Sequence, residues 1–217
     1  MKILAWTFGT VAVLLCAYVG YNALHYLVPG HVGPDFIMHN AMAKPWLLVH
    51  AGFAAAALLL GPTQFVPALR RRAPALHRWM GRAFIVSALI GGASGLPLAL
   101  GTAAGPIAAT GFTGLAVLTL LCAVQAWRLA MARRFPEHRE WAIRTFALLF
   151  AGVTLRLWLP LSMIAQLDLM ESYRVISFLA WVPNLLLAEL YLARGRAKRR
   201  SPAMPAAATA PSAAAPV

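Results

Sequence analysis

Acidic residues are the first thing this chain lacks: only six of its 217 residues are Asp or Glu, and only 12% are charged at all. An ordinary globular domain carries about a quarter charged residues, so a water-facing surface cannot be built here. With 61% hydrophobic residues, most of the surface must meet lipid instead. Cysteine is nearly absent. Cys16 and Cys122 both fall inside long apolar runs, and no disulfide framework is indicated. A Gly-rich phosphate loop, a His-Glu-x-x-His pair and a Gly-x-Ser-x-Gly elbow are also missing, which argues against an ATPase, a zincin protease and a serine esterase. What remains names no enzyme class.

A membrane span takes about 20 predominantly apolar residues, and six such runs can be placed, at 3–28, 45–68, 79–100, 106–131, 142–166 and 173–193. The expected fold class is therefore all-α: a polytopic membrane protein with six transmembrane helices over residues 1–200. The Pro/Ala-rich tail 201–217 has no apolar periodicity and is expected to be disordered. Lys2 followed by an apolar run resembles a secretory signal. That run exceeds the h-region length of roughly 7–15 residues, and Leu15 before Cys16 is a poor cleavage position, so an uncleaved first helix is expected.

The formal charge of +13 would suggest nucleic acid in a soluble protein. Here the basic residues flank spans, and nucleic-acid binding is not expected. Sixteen of the 19 Lys and Arg fall at one set of span ends, leaving Lys44 and Arg174 at the other and Arg156 inside a run. By the positive-inside rule, both termini and the connections 69–78 and 132–141 face the cytoplasm. The expected location is the inner (plasma) membrane, with the lipid bilayer as partner. A second membrane protein or a second copy of the chain remains a candidate partner.

Two short phrases repeat. "LHRWMGR" (76–82) and "EHREWAIR" (137–144) each read His-Arg, then Trp, then Arg three residues later. Sliding the chain on itself by 61 residues sets Gln64 on Gln125, Arg72 on Arg133, His77 on His138 and Arg78 on Arg139. After one residue inserted in the second copy, "WMGR" falls on "WAIR". This suggests a helical hairpin, about 45–102, repeated at 106–166 by an axis along the membrane normal, and a four-helix core flanked by the first and last helices. His50, Ala54, Ala57, Gly61 and Gln64 step by four and three residues along one small, polar stripe. The counterpart stripe is Gly111, Leu115, Leu118, Cys122 and Gln125. Gly91 and Gly95 form a small-xxx-small pair suited to close helix approach.

Taken together, "HAGFAAAALLLGPTQF", the Arg cluster, the two His-Arg phrases and "TLRLW" resemble the bacterial membrane family catalogued as domain of unknown function 2306. The resemblance spans roughly 45–160. It implies a polytopic membrane protein and no particular activity.

Six residues are candidates for a cofactor site: His25, His50, Gln64, His77, His138 and Arg156. An ionisable group inside the membrane is a functional hypothesis because its burial is costly. His50 lies about one turn inside from Pro45, with His25 as an outward-side neighbour. His31, Asp35, Met38 and His39 in the adjoining loop offer imidazole, carboxylate and thioether, though at no specific metal spacing. His77 and His138 read either as duplicated interface anchors with their Arg and Trp neighbours or as imidazoles brought together to ligate haem iron or hold an anionic head group. Paired His on a four-helix core is the layout of b-type transmembrane cytochromes, in which ligand identity tunes the haem. The repeat partner of His50 is Gly111, however, so an outer haem iron would need His25. Arg156 lies on the same face as His138, farther toward the outer side. Either an anionic ligand, a haem propionate or a quinone carbonyl meets it, or it snorkels or bonds to helix carbonyls. Glu189 is expected to pair with a loop Arg.

Three functions fit these residues: a redox protein binding haem b or quinone between helices, a small-molecule transporter or permease, and a non-catalytic accessory or assembly subunit of a membrane complex.

Overall fold

A computed structural model describes residues 2–28, 40 and 43–200. The loop with His31, Asp35, Met38 and His39 and the tail 201–217 lie outside the described residues. The described residues form nine α-helices and no strand. These are α1 (Lys2–Leu24), α2 (Ala43–Leu60), α3 (Pro67–Arg72), α4 (Pro74–Leu100), α5 (Pro106–Met131), α6 (Phe135–Leu149), α7 (Ala151–Ile164), α8 (Leu169–Leu179) and α9 (Val182–Arg200). Six stretches are long and apolar enough to cross a membrane, with α6 and α7 making one and α8 and α9 another.

Proline sets most of the boundaries. Pro74, Pro106 and Pro136 stand in the first turns of α4, α5 and α6, where a missing N–H costs nothing because those donors have no helical partner. The helices after the two Arg-rich connections therefore begin earlier than expected, inside 69–78 and 132–141. His77 and His138 sit on helices, each donating its backbone N–H to the residue just before its helix, Ala73 and Arg134. Proline also breaks α2. After Leu60 the chain continues as a 3₁₀ turn, Pro62–Phe65, and Val66 is extended, so the second span ends before 68. In the sixth span Pro183 offers no N–H to the ladder, which interrupts the helix at 180–181. The Thr154 hydroxyl donates to Ala180 O, as does Asn184 Nδ2 at 2.8 Å, so this kink leaves its carbonyl satisfied away from water. The turn between α4 and α5 uses Gly105 at φ 87°, a conformation that disfavours a side chain.

Helix α2 packs on α4, α4 on α5, α5 on α6, and α6 back on α2. These four elements close a ring. α1 lies against α2 and α7, while α8 packs on α5 and α7, and α9 on α6. Toward the Arg-rich ends the ring is solid: Ala57, Phe84, Ile85, Ala88, Ala123 and Ala126 are buried together, with Trp141 and Phe146 against them. Small residues permit this. A Cβ on Gly91 would sit 3.2 Å from the Ala54 nitrogen, and one on Gly61 would enter the Phe146 ring, so both helix approaches depend on glycine. The stripe read from α2 thus faces the interior along its length. Its α5 counterpart does not do the same throughout, because Gly111 lies under Ser177 of α8.

Candidate functional site

Toward the Arg-poor ends the bundle is hollow. A cavity of about 280 Å³ lies between α1, α2, α4, α5, α7 and α8. Its deeper wall is mostly Ala, Leu and Gly, and its polar lining comes from Tyr26, Asn40, His50, Thr102, Thr119, Arg156 and Tyr173. His50 is set about two turns into α2, and its ring rests on Gly95, where a Cβ would come within 3.2 Å of Nδ1. His50 Nδ1 donates to Gly91 O at 2.8 Å. A carbonyl can only accept, so Nδ1 carries the proton and Nε2 of the neutral ring is left as an acceptor. Asn40 Nδ2 donates to Leu98 O at 2.7 Å, tying the chain before α2 to the end of α4.

Arg156 comes from α7 and donates through Nη1 to Gly152 O, one turn back, at 2.9 Å. Protein surrounds it, yet much of its own surface stays uncovered, because it borders the cavity. No carboxylate among the described residues pairs with it. The nearby polar groups are the two phenols, Tyr26 and Tyr173, and the His50 ring, all within electrostatic range. A cation at membrane depth, nominally about 2.5–3.5 kcal/mol at a helix centre, is thus only partly compensated.

The structure brings His50 and Arg156 together and separates them from the other candidates. His25 lies on a 3₁₀ turn after α1, edge-on to Tyr21 with ring centroids 5.1 Å apart, and is not part of the cavity lining. His77, His138 and Gln64 gather at the opposite, Arg-rich end. His77 is within electrostatic range of His138, and Gln64 Oε1 lies over Gly81 of α4. His138 Nδ1 donates to Ala126 O at 2.8 Å, whereas His77 Nδ1 is buried with no partner among the described residues. No group of three or more metal-ligating His, Cys, Asp or Glu occurs among the described residues. Tyr26, Asn40, Thr102 and Tyr173 were not legible as site residues, because they come from helix ends and loops that converge only in the folded bundle.

Around the second His-Arg phrase an ion-pair network joins α6 to α9. Arg144 donates to both carboxylate oxygens of Glu189, at 2.5 and 3.0 Å, and stacks over Trp141 at 4.8 Å. Arg196 reaches Glu140 at 2.8 Å. Glu189 does take an Arg, as expected, but one from a helix rather than a loop. Cys16 and Cys122 are both buried and free.

No curated protein and no solved structure matches the chain. A family model described as a predicted membrane protein, DUF2306, matches residues 47–192. That stretch holds the ring of four helices, both His-Arg phrases and most of the cavity, and the chain belongs to this family of membrane proteins.

Proposed function

We propose that this chain binds a quinone-class ligand, an amphipathic ring with paired carbonyl or hydroxyl oxygens, in the cavity of the Arg-poor half. The observation that supports it is the meeting of an Arg without a carboxylate partner among the described residues and a His of fixed tautomer on a lining otherwise rich in Ala, Leu and Gly. Arg156 is a donor for a carbonyl oxygen. His50 Nε2 is an acceptor for the hydroxyl of the reduced form. About 280 Å³ is just below the roughly 300–1,000 Å³ typical of ligand pockets, a size suited to one ring with its tail leaving between helices. Haem b held by two imidazoles is less well supported, since His50 is the one imidazole among the described lining residues.

The test is saturable binding of a short-chain quinone to the purified protein, read by thermal shift and tryptophan quenching. Arg156→Gln should weaken it at least tenfold and His50→Ala severalfold, with insertion unchanged. Equal binding by wild type and Arg156→Gln would sink the reading, and a haem band in the reduced-minus-oxidised spectrum that disappears in His50→Ala would replace it with the haem one. The same cavity would serve a permease for a small anion, the second reading. The charge asymmetry supports placing the Arg-rich ends in the cytoplasm. A reporter fused after Arg72 or Arg134 should then read as cytoplasmic, and an external signal would reverse the orientation.

A further inference from the structure

The first Arg-rich connection carries a different kind of site from the cavity. Arg70, Arg71, Arg72, Arg78 and Arg82 are all exposed, and none is in an ion pair among the described residues. The sequence explains why: no Asp or Glu occurs between Asp35 and Glu137. At the centre stands His77, with Arg70, Arg78 and His138 within electrostatic range and its Nδ1 buried without a partner among the described residues. Beside these groups lie exposed apolar side chains, Trp79 at 68% and Leu76 at 52%. Arg82 stacks over the Trp79 ring at 5.2 Å.

We propose that this cluster, His77 with Arg70 and Arg78, binds the phosphate of an anionic phospholipid headgroup. The arrangement suits that ligand in three ways. Only donors face it, so a phosphodiester oxygen meets no repelling carboxylate. The His77 ring is half-buried with Nδ1 enclosed, so it is Nε2 that can serve as an additional donor or acceptor for a headgroup oxygen or its bound water. Trp79 and Leu76 add exposed apolar surface of the kind that sits between headgroups and acyl chains, which a free anion would not use. Clusters of four or more Arg or Lys at a span end attract anionic lipid. The second connection has as many arginines between 128 and 144, but there carboxylates stand among them: Glu137 pairs with Arg134, and Glu189 and Glu140 with Arg144.

The experiment compares wild-type protein in nanodiscs of phosphatidylcholine with and without phosphatidylglycerol, reading thermal midpoint and lipid retained in native mass spectrometry. Phosphatidylglycerol should raise the midpoint by several degrees and be retained preferentially. Arg70→Gln with Arg78→Gln should lose at least half of the rise, and His77→Ala a smaller part of it. Arg128→Gln with Arg133→Gln, which removes the same charge from the other connection, should keep most of it. Equal loss from both pairs would reduce the effect to net charge and overturn the site. So would an equal rise from inorganic phosphate at matched ionic strength. If the first pair fails to fold, wild-type retention decides alone: no preference for phosphatidylglycerol over phosphatidylcholine overturns the proposal.

Discussion

The two His-Arg phrases are nearly the same words, yet one is bound into the protein and the other is open. In the second, His138 donates to Ala126 O, Arg139 Nη2 to the Tyr191 hydroxyl at 3.1 Å, and Arg144 to Glu189. In the first, His77 Nδ1 has no partner and the arginines stand free of ion pairs among the described residues. The cause lies partly in what each phrase faces. Shifted by 61 residues, the counterpart of Ala126 is Phe65. α5 runs unbroken past Ala126 to Met131, whereas α2 has already given way at Leu60 to the turn that Pro62 begins. The carbonyl that receives His138 therefore has no helical equivalent for His77. The other cause is the last span, which lies against α6 and supplies Glu189, Tyr191 and Arg196 to the second phrase alone. A duplicated motif does not carry its contacts with it; contacts belong to the neighbours.

The largest difference should appear at the arginine that ends each phrase. The Arg144 side chain is 13% exposed and Glu189 40%. Removing one partner of a fully buried pair costs about 3–5 kcal/mol, and the exposure of Glu189 lowers the expectation for Glu189→Gln to about 2 kcal/mol. Among the described residues Arg82 has only Trp79 to lose, so Arg82→Gln should stay within about 0.5 kcal/mol. Reversible unfolding in one detergent system measures both. Equal costs would mean that the last span does not distinguish the two ends.

A middle-sized effect is expected at the histidines. His138→Ala removes a partly buried hydrogen bond and should cost about 1 kcal/mol. His77→Ala removes a nitrogen that has no partner, so in neutral detergent it should be neutral or slightly stabilising, because an unsatisfied buried polar atom is itself a penalty. Losses of equal size from both would show that His77 has a partner and that the two residues serve one site.

Much of this was legible in the sequence. Six apolar runs gave the six spans, because helix formation in lipid leaves a backbone few alternatives. The stripe from His50 to Gln64 faces inward as its spacing implies, and Gly91 and Gly95 do admit close neighbours. The hollow beside His50 was less legible. Tyr26, Thr102 and Tyr173 lie on three separate elements with no shared spacing, and periodicity reads one helix at a time. Arg156 stood out by its cost alone, but that no carboxylate among the described residues pairs with it could be seen only once the helices were placed.

The smallest effect isolates the one residue inserted in the second phrase. Glu140 is the insertion between the second His-Arg and its Trp. It accepts from Arg196 of α9 at 2.8 Å and lies 4.0 Å from Arg144. The Glu140 side chain is 18% exposed but Arg196 is 42% exposed, so water screens the pair and its worth should be in the range of a surface bridge, about 0.5 kcal/mol for Glu140→Gln. The sign of its coupling is the sharper quantity. Glu140 and Glu189 share both arginines, so in a double-mutant cycle the pair Glu140→Gln and Glu189→Gln should depart from the sum of the single changes. The first loss leaves each arginine more dependent on the remaining carboxylate, so the double change should cost more than the sum. Strict additivity would show that Arg196 and Arg144 are held independently, and that the inserted residue contributes nothing to tying the second phrase to the last span.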